Sequence, residues 1–282
     1  MLASAVAFTG MAVFLRLLAD RDYPESQMVF VRCAAGLVML APVVMSKGWS
    51  VWRAARPWVL LRRCAYSGVA LFANFYAFAN MDIAGAQALS FTRVLFVTIL
   101  AAWLLSEVVG WRRWSAIGVG FIGVLVMLRP GGEPLSLAAF GALASSFLTA
   151  LSVITIKDLM RDHSVMTQVL WLNLVTTVLG LPFAFMAWVT PTPFDVALFL
   201  GLGFCGVVAQ SCYVRALGNG DASVMAMMDY TRLPLMLVAG LLVFGQAPDV
   251  WALAGAGIVI AATLYITLRE AQLAKAKPPP VT

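Results

Sequence analysis

Phe91-Thr92-Arg93 recurs as Tyr230-Thr231-Arg232, 139 residues further along a chain of 282. The same offset relates Ser106-Glu107 to Gly245-Gln246 and Gly118 to Gly257. Working outward, Gln27 matches Gln168 and Arg16 matches Lys157 at an offset of 141, and Tyr76 matches Tyr213 at 137. The offset drifts by a few residues, as short loop insertions produce. Pro42 and Pro182 close the second and seventh apolar runs. The chain therefore carries one unit twice. A unit with an odd number of membrane spans, once duplicated, inserts its copies in opposite directions.

That a membrane is involved follows from composition. The chain is 62% hydrophobic and 11% charged, with a mean hydropathy of +0.92. A soluble domain carries about 25% charged residues. Runs of about 20 apolar residues match a hydrocarbon core of about 30 Å as helices. They are continuous rather than alternating, which excludes an outer-membrane β-barrel. The first run begins at Met1 without a basic flank and ends at Arg16, so it reads as a transmembrane helix rather than a cleaved leader.

Ten spans are expected, at 2–18, 26–46, 59–79, 83–105, 112–129, 137–156, 166–188, 195–216, 223–244 and 250–268. Arg129-Pro130-Gly131-Gly132-Glu133-Pro134 is the strongest turn signal and divides the halves. The units are then residues 1–132, residues 133–268, and a basic cytoplasmic tail at 269–282 containing Pro278, Pro279 and Pro280. The expected fold is all-α and integral to the membrane, with ten transmembrane helices as two inverted five-helix repeats. Net charge is +6, but the basic residues sit in short loops, where they set orientation rather than bind nucleic acid. With the N-terminus inside, Arg16, Arg21 and Arg129 fall in outer segments and Arg32, Arg93 and Arg232 within spans. The remaining 13 of the 19 Lys and Arg are cytoplasmic, Arg62 and Arg63 among them. Both termini are therefore expected inside.

Charges within spans are the candidate site. An arginine at the bilayer centre costs about 2.5–3.5 kcal/mol. Arg93 lies about ten residues into span four and Arg232 about nine into span nine, too deep to snorkel across ~15 Å. They are expected either to hold an anionic group such as a carboxylate or to tether neighbouring helices. Asp229, the one carboxylate deep in a span, shares a helix face with Arg232. It is read as a local ion pair or as a proton carrier. His163, the sole histidine, is a further candidate for coupling, or a solvated loop residue. Asn74 and Tyr76 in span three, Trp171 in span seven, and Gln210 and Tyr213 in span eight are candidate substrate contacts, with interhelical hydrogen bonding as their plain alternative. Pro234 is expected to kink span nine near the pathway. Met225, Met227 and Met228, and the glycines Gly118, Gly120, Gly123, Gly255 and Gly257, are expected to pack.

The same residues limit the chemistry. An intramembrane aspartyl protease needs two carboxylates, and a metal site needs a cluster that one histidine cannot supply. Cys33, Cys64, Cys205 and Cys212 fall inside apolar runs with no CxxC or CxxH spacing, so neither disulfides nor metal are expected. No cofactor is expected.

Ten spans, the five-plus-five repeat, and the stretch from Ala88-Leu89-Ser90-Phe91-Thr92 to Leu104-Leu105-Ser106-Glu107 resemble the EamA branch of the drug/metabolite transporter superfamily, most closely bacterial inner-membrane amino-acid exporters. Gly245-Gln246 departs from the family's usual Gly-Glu ending. The resemblance implies a central cavity lined by spans one to four and six to nine, with spans five and ten packed outside. It implies alternating-access export of amino acids, apolar or aromatic ones included, or related metabolites, across a bacterial-type inner membrane. Nucleotide-sugar or phosphate-ester exchange is the alternative and needs further basic groups in the cavity; a channel is the weaker one. The expected partners are a small-molecule substrate and the lipid bilayer, with the chain a monomer or weak homodimer.

Overall fold

The computed structural model describes residues 1–104, 111–128, 136–219, 229, 231–246 and 250–276. Ser106, Glu107, the turn at 129–135, Met225, Met227, Met228 and the tail prolines lie outside them. All regular structure among the described residues is helical. In order the helices are α1 (Leu2–Ala19), α2 (Glu25–Lys47), α3 (Pro57–Asn80), α4 (Ile83–Ser90), α5 (Thr92–Leu104), α6 (Trp111–Leu128), α7 (Leu137–Leu159), α8 (Val165–Met186), α9 (Pro193–Asn219), α10 (Arg232–Phe244) and α11 (Val250–Ala276).

Local chemistry sets most boundaries. Asp82, Ser136 and Ser164 cap α4, α7 and α8, each accepting from the backbone N–H three residues on. Pro57 opens α3, where its missing N–H is no loss. Gly245 closes α10 at φ 62°, a left-handed conformation suited to glycine, and its successor's N–H returns to the Gly240 carbonyl. Gln246 then accepts from the N–H of Ile83, joining α10 to the start of α4.

Two expectations about prolines are corrected. Pro42 and Pro182 do not close their helices: α2 continues to Lys47 and α8 to Met186. Pro234 does not kink a long span. It is the third residue of α10, in the first turn, where the lost hydrogen bond has little to break.

The span expected at 83–105 is also divided. α4 stops at Ser90, Phe91 makes a tight turn back to the Ala88 carbonyl, and α5 starts at Thr92. The Leu89 carbonyl beside the break is taken by the hydroxyls of Thr92 at 2.7 Å and Ser146 at 3.3 Å. Hydroxyl rescue of this kind lets a membrane helix be interrupted. Arg93 and Arg232 thus occupy the first turns of α5 and α10 rather than helix interiors.

Packing pairs α1 with α9, α3 with α7, α2 with α8, and α6 with α11. It also sets α2 against α9 and α3 against α8, and α5 against α7 and α1 against α10. Exchanging the two halves of the chain leaves this pattern unchanged. In α6, a Cβ on Gly123 would lie 2.9 Å from the Gly255 carbonyl of α11, and one on Gly120 would meet Leu95 at 2.7 Å, so glycine permits both approaches. Gly118 and Gly257 face open space, which corrects their reading as packing residues.

The exterior is apolar: Val38, Trp103, Phe183, Phe185, Leu242 and Trp251 are all exposed. An apolar surface this extensive requires lipid or a partner rather than water. Six described helical stretches are long and apolar enough to cross a bilayer: Leu2–Ala19, Glu25–Ser46, Ile83–Leu100, Leu137–Ile156, Val165–Met186 and Pro193–Ala216. All four cysteines are free.

Candidate functional site

A cavity of about 140 Å³ lies between the helices. α3 lines it with Arg63, Ser67, Ala70, Leu71, Asn74 and Phe78, which recur at helical spacing along one face. α7 supplies Ser145, Ser146, Thr149 and Ser152; α1 supplies Phe8, Met11, Ala12 and Leu15. α9 adds Gln210 and Tyr213, α2 adds Arg32, α4 adds Gln87 and Ser90, α5 adds Arg93, and α10 adds Arg232 and Met236. Among the described residues, none of the lining comes from α6 or α11. That division matches what the resemblance implied for the peripheral helices.

At the centre, Asp229 stands between two guanidiniums. Arg93 Nη2 pairs with Asp229 Oδ2, and Arg232 Nε lies 2.8 Å from Oδ1. The three side chains are 12%, 9% and 5% exposed for Arg93, Asp229 and Arg232. At that burial an isolated charge is prohibitive, so mutual pairing is what permits the cluster. Arg232 is held further. Its Cζ sits 3.9 Å over the Phe8 ring and 5.3 Å from the Tyr213 centroid, and Nη2 donates to Ser4 Oγ at 3.3 Å. Ser4 in turn donates to the Ala209 carbonyl at 3.0 Å. Arg93 sits looser, with Cζ 5.9 Å from Tyr213. Two cations over one carboxylate leave one net positive charge. Arg93 and Arg232 stand in the first turns of α5 and α10, whose N-terminal ends are each partially positive. The geometry favours an incoming anion.

Of the residues singled out from sequence, Asn74, Arg93, Gln210, Tyr213 and Arg232 line the cavity, and Asp229 pairs with the two arginines. Tyr76, Trp171 and His163 do not. Tyr76 is off the Arg63-to-Phe78 stripe of α3 and lies toward Gly141 of α7. Trp171 donates from Nε1 to the Trp52 carbonyl at 3.2 Å, beside the short 3₁₀ turn Gly48–Trp52. His163 is 4% exposed, which corrects its reading as a solvated loop residue. Its Nδ1 lies 3.3 Å from the Leu159 carbonyl and its Nε2 accepts from Arg56 N–H at 3.5 Å, so it ties the end of α7 to the start of α3.

Two charged lining residues, Arg63 and Arg32, are not among the candidates read from the sequence. Arg63 was assigned to the loop charges, yet it is 1% exposed. Arg32, placed within a span by the sequence but given no role there, is 3% exposed. The signal that finds Arg63 is its place on the stripe with Ser67, Ala70 and Asn74. Arg32 lies flat on Gly206 of α9, where a Cβ would come within 2.5 Å of Nε.

Apolar helices wrapped around a buried, arginine-lined cavity define a membrane transporter rather than an enzyme. The comparisons give the family. Residues 1–129 and 136–268 match the EamA-like transporter family, and the chain belongs to it, within the drug/metabolite transporter superfamily. It is 30% identical to an S-adenosylmethionine uptake transporter of Rickettsia felis over 95% of this chain and 91% of that one. It is 32% identical to a riboflavin transporter of Vibrio cholerae, over 88% and 84%. It is 24% identical to a pseudopaline exporter of Pseudomonas aeruginosa, over 88% of each. A crystal structure superposes with a TM-score of 0.67 over 96% of this chain and 98% of its own, at 18% identity, a likeness of fold. The chain is a multi-pass membrane protein that transports a small molecule.

Proposed function

We propose that the chain is an alternating-access secondary transporter that moves amino acids or related carboxylate-bearing metabolites out of the cytoplasm. It crosses a bacterial-type inner membrane ten times as two inverted five-helix repeats, with both termini inside. The observation that carries this reading is the Arg93–Asp229–Arg232 cluster, whose two arginines line the cavity. Its net positive charge suits a carboxylate, and the apolar wall of Phe8, Met11, Leu15 and Phe78 suits a variable side chain. The packing pattern that survives exchange of the halves supports the repeat. The named relatives include both uptake and export systems, so the outward direction rests on the amino-acid-exporter resemblance.

Two ion-pair straps support alternating access. At one end, Arg21 from the α1–α2 turn pairs at 2.7 Å with the buried Asp195 at the start of α9, which also accepts from Tyr23 at 2.9 Å. Burial, then the Asp195 carboxylate, raise the Tyr23 phenol above its ordinary 10.0, so it keeps its proton and donates. At the other end, Arg56 before α3 pairs at 2.8 Å with Asp158 in the last turn of α7 and at 2.6 Å with Asp162 just after it. The two straps occupy corresponding places in the two halves, with the charges interchanged. We read them as closures of the two cavity mouths.

The exposed strap yields a prediction. The Arg56 hydrogen bond is the main cause holding the Asp158 carboxylate below its ordinary 3.8. A depressed carboxylate contributes fully above its unfolded value of about 3.9 and is lost only as pH falls through the lower folded value. Flux measured between about pH 5 and 8 should therefore show no pH dependence from this strap, since the pair is ionised throughout. The pair is exposed and screened by solvent, so Arg56→Gln should change flux only slightly, and less in high salt. A pH-dependent step above about pH 5 that disappears in Arg56→Gln would contradict this assignment.

The test of the function is exchange. Purified protein in liposomes loaded with one amino acid should take up labelled amino acid with saturable, trans-stimulated kinetics. Flux that rises linearly with concentration sinks the carrier reading and favours a channel. The second reading, exchange of phosphate esters or nucleotide sugars, gains from Arg32 and Arg63, which are additional basic groups in the cavity. A nucleotide-sugar and a sugar phosphate belong in the same panel.

A further inference from the structure

The cavity holds a second positively charged place. Arg63 donates from Nη1 to the Gln168 carbonyl at 3.4 Å, while its Nε and Nη2 have no partner. Arg32 donates to the Gly206 carbonyl at 3.3 Å and to Cys33 Sγ at 3.4 Å, and its Nε has none. Both line the cavity, and among the described residues neither meets a carboxylate. A guanidinium offers five donors, and a buried donor left unmet is destabilising. The Arg93–Arg232 centre carries its own anion, Asp229. This pair carries none.

Comparison of the halves argues against a mere helix tether. At the offset relating Tyr76 to Tyr213, Arg63 falls opposite Leu200, and at the offset relating Gln27 to Gln168, Arg32 falls opposite Asn173. The second half has no such pair. The amides differ in the same sense. Gln27 is satisfied through both ends by Val189, at 2.7 and 2.9 Å, whereas Gln168, beside Arg63, has both side-chain atoms buried and unpartnered. Arg32, Arg63 and Gln168 thus bring five buried polar atoms without a hydrogen-bond partner among the described residues to positions where the two halves differ.

We propose that Arg63 and Arg32, which line the transport cavity together with Arg93 and Arg232, form an oxyanion subsite that takes a carboxylate or phosphate group of the substrate. It rests on reading this cavity as the transport pathway. It narrows the substrates to metabolites with two acidic groups, such as acidic amino acids, dicarboxylates or phosphorylated acids. One group engages the centre and the other fills the unmet donors of Arg63 and Arg32, in the fork geometry a planar guanidinium offers.

The probes are succinate, butyrate and inorganic phosphate, titrated at constant ionic strength against chloride into the purified full-length protein in detergent, with the unfolding temperature read out. Succinate and phosphate should each raise it saturably, and butyrate less. Arg63→Gln should raise the half-saturating concentration about tenfold or more, with Arg63→Lys intermediate because it keeps charge but loses the fork. Gly206→Ala, which drives a methyl into Arg32, should weaken the response in the same direction. A response to phosphate alone assigns the subsite to phosphate groups, and a response to succinate alone assigns it to carboxylates. The proposal is overturned if wild-type protein responds to none of the anions beyond chloride, or if Arg63→Gln, Arg63→Lys and Gly206→Ala all titrate like wild type. Amino-acid exchange in liposomes separates the two readings. Exchange without an anion response removes the subsite and leaves the transporter assignment. An anion response lost in Arg63→Gln without amino-acid exchange leaves the subsite and removes amino acids as cargo.

Discussion

Asp229→Ala is expected to prevent accumulation of folded protein, whereas Asp229→Asn should fold poorly but detectably and fail to transport. The carboxylate is the one anion between Arg93 and Arg232 among the described residues, and all three are buried. Removing one partner of a buried charge cluster costs about 3–5 kcal/mol, because the remaining charges are left without compensation. Against a total stability of about 5–15 kcal/mol for a folded domain, that is a large share. Alanine leaves two facing guanidiniums in a low-dielectric site. Asparagine keeps an acceptor for one of them and so loses less. Membrane yield, monodispersity on a sizing column and the unfolding temperature are the readouts, in the order alanine, asparagine, wild type. An alanine variant with near wild-type unfolding temperature would show that the arginines have another counter-charge. Asparagine also addresses coupling: if residual flux keeps the wild-type pH dependence, Asp229 is not the proton carrier.

The fold was legible wherever periodicity or a charge interrupted an apolar run. The ends of α1, α2, α3, α7, α8 and α9 fall within a few residues of the reading because Pro, Ser and clustered charges stop those helices for local reasons. The break at Phe91 was not legible. Nothing in Ser90-Phe91-Thr92 forbids a helix, and the interruption depends on Ser146, a residue of α7 that reaches the freed Leu89 carbonyl. A tertiary contact decided it. Pro234 misled for the opposite reason: a proline signals a kink only if the helix has begun well before it, and α10 begins two residues earlier.

The site was half legible. Burying an arginine is costly enough that Arg93 and Arg232 stand out by depth alone, and Asp229 with them. Arg63 did not, because a charge seven residues into α3, next to Arg62, looks like the loop charges that set orientation. Only its face distinguishes it: Arg62 is exposed and Arg63 fully buried. Tyr76 and Tyr213 illustrate the limit of repeat symmetry. They match in sequence, yet Tyr213 lies on the cavity stripe of its helix and Tyr76 on the side of α3 facing Gly141. Symmetry pairs positions along the chain; rotation of each helix decides which side chain reaches the cavity.

Arg93→Ala and Arg232→Ala should differ, although the repeat makes them counterparts. Arg232 is bound into the structure by Asp229, by the Phe8 face at 3.9 Å, and through Ser4 to the backbone of α9. Its loss empties the space between Phe8 and Tyr213 and unseats Ser4, at a cost of about 3–5 kcal/mol, with little folded protein recovered. Among the described residues, Arg93 makes one ion pair and a distant approach to Tyr213. Without it, Asp229 remains neutralised by Arg232, so the chain should fold. What disappears is the net positive charge of the centre. A charge-assisted contact to substrate contributes about 1.5–3 kcal/mol, so transport efficiency should fall roughly 10- to 150-fold in Arg93→Ala while the unfolding temperature moves little. Arg93→Lys should recover part of the loss, as a point charge without the fork. Paired measurements of flux and unfolding temperature on the three variants decide the matter. Equal destabilisation by both alanines would make the arginines a symmetric helix tether, and wild-type flux in a folded Arg93→Ala protein would remove it from the substrate site.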